Sequence, residues 1–124
     1  VTDAHALIAV VDDEPPVRKM LTRALRMADY DVAAYASGEE FLSSLTAQAP
    51  ACAVLDINMP ELSGFDVERR MRAANIRVPL ILITASDDAA LDQSAVAVDA
   101  VCLLRKPFST DTLLDAVRAA LGRT

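Results

Sequence analysis

Five short apolar runs constrain this chain more than any other feature, at residues 7–11, 32–35, 51–55, 79–84 and 101–104. A strand with one wet face alternates polar and apolar residues; these runs do not, so they call for cover on both faces. Each is followed by a stretch with helical spacing or helix-start residues. Val17, Met20, Leu21, Ala24, Leu25 and Ala28 fall on one helical face, with Arg18, Lys19, Thr22, Arg23 and Arg26 on the other. Ser37 and Glu40 have capping-box spacing before Phe41, Leu42 and Leu45. Ser63 suits the N-cap of a helix carrying Phe65, Val67, Met71 and Ala74, and Ser86-Asp87-Asp88 opens an Ala-rich fourth helix with a weak apolar face. Leu113, Leu114, Val117, Ala120 and Leu121 mark the last helix.

Strands and helices alternating in this way predict the α/β class, a parallel sheet with helices on both faces. The order expected is 2-1-3-4-5, flavodoxin-like, in a single five-stranded sheet with five helices. With 124 residues the chain fits one domain with a real core. Its hydrophobic share of 53% is broken into runs far shorter than the ~18 residues a membrane span needs. No signal segment opens it, so a soluble, cytoplasmic protein is predicted, with no membrane partner. A net charge of -6 predicts repulsion of nucleic acid, so DNA binding would have to come from a partner or another domain. Cys52 and Cys102 each lie inside an apolar run and are read as core residues.

In a sheet of this kind ligands bind outside the carboxyl ends of the strands. Asp12 and Asp13 follow the first run, Asp56 ends the third, Thr84 ends the fourth and Lys106 follows the fifth. Each has an ordinary explanation: a helix cap, favourable charge at a helix N-terminus, a strand end, a solvent-facing lysine. Their convergence at the same ends of four strands favours a shared chemistry. Three crowded carboxylates repel unless a cation joins them. Oxygen-only donors with few protein groups favour Mg²⁺, with Mn²⁺ expected to substitute. A metal, a lysine and a threonine hydroxyl around one further aspartate suit phosphoryl transfer to a carboxylate, with Asp56 as nucleophile.

The motifs Val11-Asp12-Asp13-Glu14, Leu55-Asp56-Ile57-Asn58-Met59-Pro60, Ser63-Gly64, Thr84-Ala85 and Lys106-Pro107-Phe108 resemble, in that order, the receiver domain of bacterial two-component response regulators. The resemblance covers nearly the whole chain and implies one receiver domain over residues 1–124, any C-terminal effector domain lying outside it. It implies that Asp56 takes a phosphoryl group from a phosphohistidine on a sensor kinase or phosphotransfer protein. Asp13 is then bound to Mg²⁺ with Asp12 beside it, and the metal is also held by Asp56 and the backbone carbonyl of Asn58. The resemblance further implies that Thr84 moves toward the phosphoryl group and alters the face made by helix four, strand five and helix five. Asn58 and Ser86, two residues beyond Asp56 and Thr84, occupy positions that tune dephosphorylation in the family. A homodimer formed on phosphorylation is left open.

Two residues depart from the family pattern. Leu103 stands where an aromatic switch residue is usual, and is expected to stay packed against the fourth helix. Asp99 stands where a glycine usually opens the turn into strand five, and aspartate tolerates left-handed geometry better than most residues. The sole histidine, His5, is read as a surface residue in a fraying N-terminal segment rather than a phosphodonor. Haloacid-dehalogenase-like phosphatases also form aspartyl phosphates, but they carry a second aspartate where this chain has Asn58, and the chain has no room for a substrate cap. A receiver-like binding module that is never phosphorylated is the other rival. The intact acid, threonine and lysine set argues against it.

Overall fold

The computed structural model describes residues 4–122; the expected domain limits at 1 and 124 lie outside them. Strands β1 (Leu7–Val11), β2 (Asp31–Tyr35), β3 (Cys52–Asp56), β4 (Leu80–Thr84) and β5 (Cys102–Arg105) alternate with helices α1 (Pro15–Met27), α2 (Gly38–Ser44), α3 (Gly64–Ala73), α4 (Ala90–Ala97) and α5 (Thr110–Leu121). All neighbouring strands pair in parallel, in the order β2-β1-β3-β4-β5. The expected class, strand order and count of elements are therefore observed.

Strand pleating sorts alternate side chains to opposite faces, and the apolar runs thereby feed two separate cores. Ile8, Val10, Cys52, Val54, Ile81 and Ile83 face α1 and α5, where they meet Leu21, Leu25, Leu113 and Val117. Ala9, Val11, Ala53, Leu55, Leu80 and Leu82 face the other way and meet Phe41 of α2, Val67 and Met71 of α3, and Ala95 of α4. Both cysteines pack on the α1 and α5 side, as expected, and burial pushes the Cys52 thiol up to about 12, with Cys102 adding to it.

Side-chain caps fix where several helices begin. Ser63 Oγ accepts from Asp66 N, and Asp66 Oδ2 accepts from Ser63 N, a complete capping box for α3. Ser37 Oγ accepts from Glu40 N as predicted, but the Glu40 carboxylate reaches back one residue further, to Ala36 N. Pro15 and Pro16 fill the first turn of α1, where a missing N–H costs nothing.

The fourth helix departs from expectation. It begins at Ala90 and not near Ser86, because side chains compete for the backbone donors in between. Ser86 N donates to Thr84 Oγ1, Asp88 N to Ser86 Oγ, and Ala90 N to Asp88 Oδ1. These i-to-i+2 bonds hold residues 85–89 in successive turns, so the helix starts only beyond Asp88.

Three helices end alike. After α1, α3 and α4 the chain passes through Asp29, Asn75 and Asp99 with φ of 71°, 58° and 56°. In each case the next N–H reaches back five residues, from Tyr30 to Leu25, Ile76 to Met71 and Ala100 to Ala95, which is the Schellman closure. Asp99 thus adopts the left-handed geometry expected for it. His5 stands exposed at the amino-terminal edge of the sheet, its N–H bonded to Asp29 O and its ring 3.5 Å from Asp31.

Candidate functional site

Because the strands are parallel, residues ending them share one edge. Asp12 follows β1, Asp56 ends β3 and Thr84 ends β4, with relative exposures of 0%, 1% and 0%. Lys106 follows β5 on the same edge and is half-buried. Asp12, Asp13 and Asp56 each offer an oxygen lying within 4.8 Å of the others. Lys106 Nζ lies 3.1 Å from Asp12 Oδ2, 3.1 Å from Glu14 Oε1 and 3.6 Å from Asp56 Oδ2. The structure therefore brings Asp12, Asp13, Asp56 and Lys106 together.

Backbone donors orient the acids. Asp12 Oδ1 accepts from Glu14 N at 2.9 Å and Asp56 Oδ1 from Asn58 N at 3.1 Å. The turn after β3 is held close by Gly64, where a Cβ would come within 2.9 Å of Asp56 O. Only a glycine lets the start of α3 lie directly behind the reactive strand end. Thr84 Oγ1 donates to Asn58 Oδ1 at 2.5 Å and accepts from Ser86 N at 3.1 Å. Asn58 is exposed, Ser86 half-buried, and both border the acidic cluster through Thr84. Leu103 points away from the site, into the core that contains Ala95 and Val98 on the α4 side.

Electrostatically the site is short of positive charge. Burial pushes the Asp56 carboxyl from 3.8 up to about 6, and the charge of Asp12 adds to it. The Asn58 N–H and the Lys106 ammonium offset part of this. Burial pulls Lys106 down, but Asp12, Glu14 and Asp56 outweigh it and hold its pKa above the ordinary lysine value. Asp12 Oδ2, although 3.1 Å from Lys106 Nζ, makes no hydrogen bond of good geometry and is buried.

A buried carboxylate oxygen without a bond, beside two further carboxylates, fits a hard divalent cation. Asp12, Asp13 and Asp56 would hold it. A magnesium-sized ion suits a donor set with so few protein oxygens, which leaves coordination positions for water and for phosphoryl oxygens.

Three side chains at this edge carry roles that the sequence did not disclose. Glu14 was visible only as the third acid of a triplet, yet it shares Lys106 with Asp12. Arg18 Nη1 donates to Asp12 O at 2.7 Å, a use of one α1 cation that its place on a polar helix face does not signal. Arg105, beside Lys106, bonds the 85–89 turns and α4.

A family model described as response regulator receiver domain matches residues 8–118. Nodulation protein W of Bradyrhizobium diazoefficiens is 38% identical over 118 residues, which cover 95% of this chain and 52% of that protein. The crystal structure of FixJ-N superposes with a TM-score of 0.90 at 31% identity, covering 100% of this chain and 98% of that one. A response regulator receiver protein from Burkholderia phymatum gives a TM-score of 0.84 at 40% identity, over 94% of this chain and 95% of its own. The chain spans about half the length of the curated relatives it matches.

Proposed function

Since this chain belongs to the response regulator receiver domain family, we propose that Asp56 is the phosphoacceptor of a two-component signalling switch, charged by a phosphohistidine on a sensor kinase or phosphotransfer protein. The observation that carries this is a buried Asp56 flanked by Asp12, Asp13 and Lys106. An Asp56 carboxylate oxygen forms the new O–P bond while the N–P bond breaks and the imidazole nitrogen leaves with its electron pair. Lys106 stabilises negative charge on the phosphoryl oxygens, and its 3.6 Å distance from Asp56 Oδ2 supports that role. Asp12, Asp13, Asp56 and the Asn58 carbonyl would hold Mg²⁺, or Mn²⁺ in its place, which would supply charge neutralisation on the same oxygens. Thr84 gives up Asn58 and donates its hydroxyl hydrogen to a phosphoryl oxygen, which makes it the switch residue.

Output follows on the face of α4, β5 and α5, with Leu103 staying in its apolar packing. Asn58 and Ser86 are small, so water reaches the acyl phosphate readily and self-dephosphorylation is moderate or fast. The lengths of the relatives support an output domain elsewhere in a longer cytoplasmic protein, with transcriptional regulation as one output and a phosphorylation-dependent homodimer as one form. Among the described residues no helix is long and apolar enough to cross a membrane. A haloacid-dehalogenase-like phosphatase is not favoured, because Asn58 occupies the place of its second aspartate, nor is a receiver-like module that is never phosphorylated.

Intact mass after incubation with acetyl phosphate and Mg²⁺ tests the assignment. One phosphoryl group is expected on the wild-type chain and none on Asp56→Asn; equal labelling of the variant overturns it. Addition of EDTA is expected to abolish the labelling.

A further inference from the structure

Arg105 is the last residue of β5, paired in register with Thr84 and one residue before Lys106. Its guanidinium makes four hydrogen bonds to three residues. Nε donates to Ser86 O at 3.2 Å and Nη2 to Asp88 O at 2.8 Å. Nη1 and Nη2 also reach the two oxygens of Asp92, in the first turn of α4, at 3.1 and 3.2 Å. One side chain thus ties the end of β5 to the 85–89 turns and to α4.

The same turns hold the Thr84 hydroxyl. A threonine hydroxyl has one hydrogen, and here it goes to Asn58. To donate to a phosphoryl oxygen on Asp56 it has to leave Asn58 and turn away from Ser86 N, the donor it now accepts from. The Ser86 peptide then either follows the hydroxyl or loses it. Where the Ser86 backbone follows the hydroxyl, the Ser86 carbonyl is drawn off Arg105 Nε, and the tie from Arg105 to Asp88 and Asp92 loses its anchor beside Thr84.

We propose that Arg105 is the positioning residue that holds Thr84 and α4 in the unphosphorylated arrangement, so that phosphorylation of Asp56 must break its bond to Ser86 to reach the helix. This rests on the phosphoacceptor reading of Asp56. A contact made in one state only biases the equilibrium toward that state, and its removal raises the affinity of any ligand selecting the other. The guanidinium fork is essential to the arrangement, since an ammonium on a lysine stem cannot serve three acceptors in a plane.

The test uses beryllofluoride with Mg²⁺ as the phosphoryl mimic, together with amide hydrogen exchange on the metal-free chain. For Arg105→Ala and Arg105→Lys, exchange across residues 85–92 is expected to quicken and beryllofluoride to bind more tightly, on the order of tenfold. Asp92→Asn leaves the two carbonyl contacts in place and changes only an exposed carboxylate. It is expected to shift the affinity in the same direction by about threefold, and it carries the test should the Arg105 variants fail to fold. Affinity equal to or weaker than wild type in the folded variants, even with faster exchange, would show that Arg105 merely packs the turns and would overturn the proposal. If the wild-type chain itself fails to bind beryllofluoride, the Asp56 assignment fails and this proposal with it; tight wild-type binding that the variants leave unchanged sinks the Arg105 role alone.

Discussion

Asp56 is held in a place that opposes its own charge. Its carboxyl titrates near pH 6 in the folded chain instead of at 3.8, burial being the main cause and Asp12 the second. A carboxyl with a raised folded pKa binds more protons folded than unfolded between those values, so its contribution to stability is complete below 3.8 and is lost as pH rises through 6. The metal-free protein is therefore expected to melt at a lower temperature at pH 7.5 than at pH 5, by an amount equivalent to about 1.4 kcal/mol from this group. Asp56→Asn is expected to flatten that dependence, and Mg²⁺ to raise the melting temperature more at pH 7.5 than at pH 5. Calorimetry of the two chains with and without Mg²⁺ checks both; a pH profile unchanged in Asp56→Asn would assign the effect to other groups. Asp12, Asp13, Asp56, Thr84 and Lys106 were legible in sequence because each is a chemistry-bearing residue at the end of an apolar run. The parts played by Glu14 and Arg105 were not. Each depends on which way a long side chain turns at the end of an element, and spacing along a chain carries no record of that.

Among the elements, the strands were readable because central strands covered on both faces leave continuous apolar runs and the partly buried edge strands β2 and β5 stay mostly apolar, and their observed ends fall within a residue of those runs. The start of α4 was not readable, since Ser86 and Asp88 can either cap a helix or close turns, and here they close turns first. The capping of α3 gives a direct measure of local sequence logic. Ser63→Ala removes the acceptor for Asp66 N and is expected to cost about 1 kcal/mol, read as a lower urea midpoint with an unchanged slope. The left-handed residue after α4 gives a prediction of opposite sign. Asp99→Gly relieves a conformation that glycine adopts freely, and is expected to stabilise the chain by up to about 1 kcal/mol in the same assay. A loss of stability there would mean that the Asp99 side chain contributes more than its backbone strain costs. For signalling, the weakly amphipathic α4 and its preceding turns are the elements expected to move. Beryllofluoride should change hydrogen exchange across residues 85–99 and leave the strand around Leu103 nearly as it was; a change confined to β5 would place the switch elsewhere.

At the scale of the whole molecule the charge distribution is uneven. α1 carries Arg18, Lys19, Arg23 and Arg26 and no acid, while the chain as a whole is at -6. Any partner drawn to α1 is selected against the average field of the protein, so its association should weaken as salt rises. The sheet also divides the interior, with Leu21, Leu25 and Val117 on one side and Val67, Leu82, Ala95 and Leu103 on the other. Thr84 and Arg105 lie in register with each other at the sheet edge, and their bonds run to the α4 turns. Methyl resonances of Leu82, Ala95 and Leu103 are expected to shift on beryllofluoride binding, and those of Leu21 and Leu25 on α1 to stay in place; equal shifts in both sets would show that the sheet transmits the change through its thickness. With a wall of five strands between two cores, the signal is expected to rearrange one room of the house and leave most of the furniture of the other in place. The protein is accordingly expected to be held by α1 throughout a cycle of charging and discharge, with a fixed handle on one side and a lever on the other.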